Sequence, residues 1–100
     1  MLETFTLATF AEHAGQKFRM HVGPSEAIEL ELIEIFARTS GAVIGDARRE
    51  PFSIVFRGPT HPLQQQRIYK LEHEKLGTFE LFLVPIGPDK DGMRYEAVFT

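Results

Sequence analysis

The sequence predicts an all-β domain, a mainly antiparallel roll or small barrel of about six strands with one short N-terminal helix. Three observations carry this. Short segments with period-two alternation recur along the chain, and Gly and Pro punctuate their ends. The longest apolar run, residues 77–85, also alternates: Phe79, Leu81 and Leu83 against Glu80, Phe82 and Val84. Because Phe82 and Val84 are themselves apolar, this strand is expected to be covered on both faces, near the centre of the fold. Gly77 opens it and Pro85 is expected to stop it, since proline cannot donate to a ladder.

Residues 5–14 read as the helix. Thr6 is a candidate N-cap and Gly15 a candidate stop, with Leu7, Phe10, Ala11 and Ala14 along one face. A helix this short must dock to persist. Residues 17–22 alternate Phe18, Met20 and Val22 with Lys17, Arg19 and His21, as a half-buried strand does. Residues 27–37 admit two readings. A helix opening at Ser25–Glu26 would carry an apolar arc over more than half its circumference. A strand places Ile28, Leu30 and Leu32 opposite Glu29 and Glu31, with the doublet Leu32–Ile33 shifting the phase as a β-bulge would. The strand is the better fit.

Residues 38–50 form the long polar connection, with two glycines and three arginines. Strands follow at 51–57 (Phe52, Ile54 and Phe56 inward) and at 67–73, where Ile68, Lys70 and Glu72 oppose Tyr69, Leu71 and His73. Residues 87–92 read as a hairpin loop, and Met93, Tyr95, Ala97 and Phe99 share a face of the last strand. Gly–Pro follows three strands, at 23–24, 58–59 and 87–88, where glycine permits a turn and proline blocks further pairing.

One hundred residues, 43% hydrophobic and 25% charged, fit one globular domain spanning 1–100. Nine Phe without Trp or Cys point to a phenylalanine core with no disulfide. A net charge of −3 argues against a nucleic-acid partner. The N-terminus has neither a basic nor an apolar signal-peptide region, and no stretch is long enough to span a membrane. The expected setting is cytoplasmic.

Reactive constellations are weak. His13, His21, His61 and His73 lack metal-ligand spacing, and Asp89–Lys90–Asp91–Gly92 lacks the end ligands of a calcium loop. No metal or cofactor is expected. Ser25 and Ser53 have no nucleophile setting, and Glu72 and His73 point to opposite sheet faces. The leading function is therefore a non-enzymatic structural or protein-interaction domain. The alternative is a small-ligand or carbohydrate-binding barrel, and its candidate binding residues are Arg38, Arg48 and Arg49 of the loop with Tyr69 and Tyr95. The expected partner is another protein or a second copy of the chain. The apolar second face of Phe82, Val84, Val55 and Val98 needs a cover, and the helix bearing Leu7 and Phe10 is the expected one.

Residues 51–59 (PFSIVFRGP), 69–73 (YKLEH), 81–88 (LFLVPIGP) and 94–99 (RYEAVF) together resemble a family of small bacterial domains of unknown function. Members of that family also open with a Leu-x-x-Phe helix, then Gly–Gln and a Phe-containing strand. The resemblance covers nearly the whole chain, least well over 26–50. It implies no activity, cofactor or catalytic residue. Some members lie near genes resembling phage-tail collar proteins, which implies an accessory role in a phage-tail-like assembly.

Overall fold

The computed structural model describes residues 5–37, 51–61 and 63–99. Helix α1 (Leu7–Ala11) precedes six strands: β1 (Lys17–His21), β2 (Ala27–Ala37), β3 (Phe52–Gly58), β4 (Arg67–His73), β5 (Gly77–Asp89) and β6 (Gly92–Phe99). Every pairing is antiparallel, and the strands close into a barrel in the order β1-β2-β3-β6-β5-β4. The predicted class therefore holds, in its barrel form. In a ring of six, β3 and β4 stand opposite each other, and residues 59–61 and 63–66 lie between them at one end of the barrel. The other end receives α1.

The inward rows are those that alternation marks. Phe18 and Met20, Leu30 and Leu32, Phe52, Ile54 and Phe56, Tyr69 and Leu71, Phe79, Leu81 and Leu83, and Tyr95, Ala97 and Phe99 are all buried. Closed-barrel interiors are filled by side chains from alternate positions on every strand. β2 is a strand, and its register shifts between Leu32 and Glu34, so that Ile33 is the extra residue. The bulge lets Leu30 and Leu32 point inward before it and Ile35 pack on the core after it.

Three expectations about element ends are corrected. The helix covers Leu7–Ala11 rather than 5–14, and of its expected apolar face only Phe10 is buried, while Ala11 and Ala14 are exposed. Thr6 is its N-cap, in a reciprocal capping box with Thr9. The helix ends early because the chain must reach β2: the Gly15 N–H donates to Leu32 O (2.7 Å) and the Leu32 N–H donates to Gln16 O (3.1 Å). Gly15 turns there with φ 81°, a conformation that favours glycine. Pro85 does not stop β5, which runs on to Asp89. It is tolerated because pairing with β4 has already ended at Leu83, and a register shift with β6 follows between Pro85 and Gly87. The last hairpin is correspondingly tight, with Asp89 paired to Gly92.

The expected cover of the second face is also corrected. α1 does not lie over Phe82 and Val98; it plugs the barrel end. Phe10 is fully buried, with ring centroids 5.4 Å from Phe99, 6.0 Å from Phe52 and 6.4 Å from Phe79. Phe5 stands edge-on to both Phe10 (5.4 Å) and Phe79 (5.2 Å). A closed sheet has one inside, so the largest apolar side chain of the helix goes to the open end of the lumen instead of the outer wall.

Phe10→Ala should therefore destabilise the protein by about 3–5 kcal/mol, as core Phe truncations do. Phe82→Ala, on the outside, should cost under about 0.5 kcal/mol. Urea unfolding checks both, and equal losses would contradict the plug.

Candidate functional site

The outer wall carries one feature that folding does not explain. Phe36 on β2 pairs with Ser53 on β3, Ser53 pairs with Val98 on β6, and Phe82 on β5 pairs with Ile68 on β4. Val84 pairs with Glu96, so the same register continued by two residues sets Val98 opposite Phe82. These residues thus form one row across five strands. Four of them are large apolar side chains left in solvent: Phe36 at 41%, Val98 at 48%, Phe82 at 51% and Ile68 at 63% exposure. Covering such a side chain fully is worth about 1.5–3 kcal/mol. Ser53, between Phe36 and Val98, is itself buried, so the exposed stretch that runs unbroken is Val98–Phe82–Ile68, with Phe36 set apart across β3. Contiguous exposed apolar patches mark interaction surfaces more often than scattered single residues do.

One rim of this belt is acidic and the other is charge-balanced. The next row toward the 59–66 end runs Glu34, Val55, Glu96 and Val84. Val55 is buried and Val84 half-buried, while Glu34 is exposed and Glu96 half-exposed. On the opposite rim Glu80 pairs with Lys70. Of this site, the sequence points to Phe82, Val84, Val55 and Val98 as a face needing a cover. It misses Phe36, whose direction depends on the bulge. It also misses Ile68, which its own alternation sets on the outer face with Lys70 and Glu72.

The sequence-derived binding residues are not brought together. Arg38, Arg48 and Arg49 lie outside the described residues. Tyr69 and Tyr95 are buried, and their hydroxyls are occupied. The Tyr95 hydroxyl accepts the Gln64 N–H at 3.0 Å, and the Tyr69 hydroxyl donates to Gln65 O. Both tyrosines thus hold the segment leading into β4 onto its end of the barrel. Burial pushes the Tyr69 hydroxyl up from its ordinary value, and the Arg67 guanidinium lies 4.8 Å from its ring centroid.

The helix end of the barrel holds a polar cluster. His13 and His73 rings stand 4.5 Å apart, and both donate to Gln16 Oε1, from Nδ1 at 2.9 Å and Nε2 at 2.7 Å respectively. Burial, and then the neighbouring His13, hold the His73 imidazole below its ordinary value. A groove of about 460 Å³ opens beside His73, walled by Lys17, Arg19, Glu29, Glu72 and Glu74 among others. Side chains of both signs line it, and at its edge Lys17 Nζ is 3.5 Å from Glu31 and His21 Nε2 bonds Glu72. No described residue there has the partner arrangement of an activated nucleophile.

At the other end, the Arg57 guanidinium donates from Nε (2.9 Å) and an Nη (2.6 Å) to Asp89 Oδ2. That bond holds the Asp89 carboxyl down at about 2. Asp89 also accepts the Asp91 N–H at 2.8 Å, which orders the tight hairpin. A depressed carboxylate contributes stability above its unfolded value of 3.8, which is lost as pH falls toward about 2. The stability gap between the wild-type protein and Asp89→Asn should therefore be constant at neutral pH and close across that window. Urea midpoints measured down the pH series check this, and a gap unchanged at pH about 2 would contradict it.

Among the described residues no helix is long and apolar enough to cross a membrane. No match is found among curated proteins or among solved structures. Residues 5–99 match the family model described as a domain of unknown function (DUF6916), and with nearly all of its length inside that match the chain belongs to this family.

Proposed function

We propose that this protein is a non-enzymatic interaction domain that docks a partner protein on the Val98–Phe82–Ile68 belt. The observation that carries this reading is the uncovered apolar row itself, on a barrel whose core is filled from inside and whose helix is spent on the end. The Glu34–Glu96 rim gives the partner its chemistry: an apolar surface bordered on that side by Lys or Arg. Two copies of this chain meeting face to face would bring Glu34 and Glu96 toward their own counterparts, which disfavours self-association through this face. Closure of the barrel also leaves no strand unpaired along a whole side, which disfavours edge-to-edge dimers. An accessory position in a phage-tail-like assembly is the setting we propose for such a domain, and it rests on the family resemblance alone. The small-ligand alternative has less support, because Tyr69 and Tyr95 are committed to backbone partners.

The test is a photo-crosslinking amino acid placed at Phe82, at Val98, and at Lys17 on a different part of the wall. Adducts to one partner should form from positions 82 and 98 and not from 17, and should weaken with added salt. Unlabelled wild-type protein should compete them away, whereas the folded Phe82→Glu/Val98→Glu variant should not. Adducts between copies of this chain, or equal competition by the double variant, would overturn the proposal.

A further inference from the structure

The hydrogen bonds around His73 allow only one protonation state. The backbone N–H groups of Lys75 and Leu76 both point at His73 Nδ1, at 3.1 and 3.2 Å. Nδ1 must therefore be a lone-pair acceptor, and the ring hydrogen sits on Nε2. From there it donates to Gln16 Oε1, the atom that also takes the His13 Nδ1 hydrogen. Each of these contacts fits a neutral His73. A proton added at Nδ1 would face two N–H donors, so the ring or the 74–76 turn would have to move. The His13 ring, which faces His73 across 4.5 Å, also opposes a charge there.

We propose that the His73–Gln16–His13 cluster is a pH-sensitive latch, which holds α1 and residues 12–16 on the barrel end at neutral pH and loosens them in mild acid. His13 and Gln16 belong to the segment that follows α1, whereas His73 belongs to the barrel wall, so the cluster joins the plug to its seat. α1 has five residues, and a helix that short has no stability away from its dock. Loosening would give access to the Phe52, Phe79 and Phe99 rings that Phe10 covers.

The surroundings of His73 set the direction of the response. Phe18 from β1 lies against its ring at 4.5 Å and brings no charge. His13 and Lys75 oppose the protonated form, and Glu74 favours it. Lys17, Arg19, Glu29 and Glu72 line the groove beside it with both signs. Burial is the largest influence and also opposes the charge. A histidine held below its unfolded value near 6.5 binds fewer protons when docked than when free. Docking is thus at full strength above that value and weakens as pH falls through it. The inference is independent of the belt, since it needs no partner.

The experiment is an NMR titration of the full chain from about pH 7.5 to about pH 5, reading imidazole and backbone amide signals together. His73 should carry its hydrogen on Nε2 at neutral pH and titrate below its ordinary value. Amides of residues 5–16 should shift or broaden with the same midpoint, while those of β3 and β6 stay in place. His73 titrating at or above its ordinary value, or residues 5–16 unmoved through its titration, would overturn the latch. His73→Gln should abolish the acid response of residues 5–16. Should that variant not fold, His13→Gln decides, because removing the facing imidazole should move the His73 midpoint upward; an unchanged midpoint would also overturn it.

Discussion

The pairing of β1 with β4 is the constraint on which the rest of the molecule depends. Arg19 opposite Glu72, Met20 opposite Leu71 and His21 opposite Lys70 turn a six-stranded sheet into a tube. An open sheet would present two faces, and each would seek a layer to cover it. A tube has one inside, and this one is filled by Phe18, Phe56, Phe52, Phe99, Tyr95 and the leucines between them. Phe18 and Phe56 meet edge-on at 5.1 Å, and Phe52 and Phe99 stack at 4.5 Å. Once the lumen is full, Phe82, Ile68 and Val98 at outward positions stay outside.

Closure also creates two ends, and the chain treats them differently. At one, Gln64 and Gln65, which lead into β4, are held by two tyrosine hydroxyls, and Arg57 pairs with Asp89. At Gly92 a side chain would collide with the Gly58 carbonyl, so this hairpin approaches its neighbour closely enough to require glycine. At the other, Phe10 and Phe5 plug the lumen, and a histidine–glutamine cluster fastens the plug. The first end is held largely by bonds within the barrel and the segment leading into β4. The second depends on a five-residue helix, held by the buried rings of Phe5 and Phe10, the backbone bonds of Gly15 and Gln16 to Leu32, and the histidine–glutamine cluster.

The two proposals use different parts of this design. The belt is a consequence of the outer alternation and needs a second molecule. The latch belongs to the lumen and acts within the chain. They share one physical origin, which is that a barrel of this size has room inside for a single set of side chains. Phe82 and Ile68 are left on the wall, and His13 and His73, drawn in at the rim, must satisfy their ring nitrogens with what lies there.

The strands themselves were legible because alternation is a local property: each of the six follows from residues two apart, and the Leu32–Ile33 doublet betrayed the bulge by its break in phase. Thr6 as N-cap was legible for the same reason. What the sequence could not determine was which elements meet. Pro85 looked like a stop because its ladder partners were unknown, and it persists in β5 only because β4 has ended before it. Tyr69 and Tyr95 looked like binding residues until Gln64 and Gln65 supplied their hydrogen-bond partners. Phe10 and Phe82 looked like partners across one layer, whereas closure put one in the lumen and the other in water. The His73 cluster joins residues fifty-seven positions apart from Gln16, a juxtaposition invisible to any local pattern. Side-chain direction is set within two or three residues of chain, but inside and outside are defined only when β1 reaches β4.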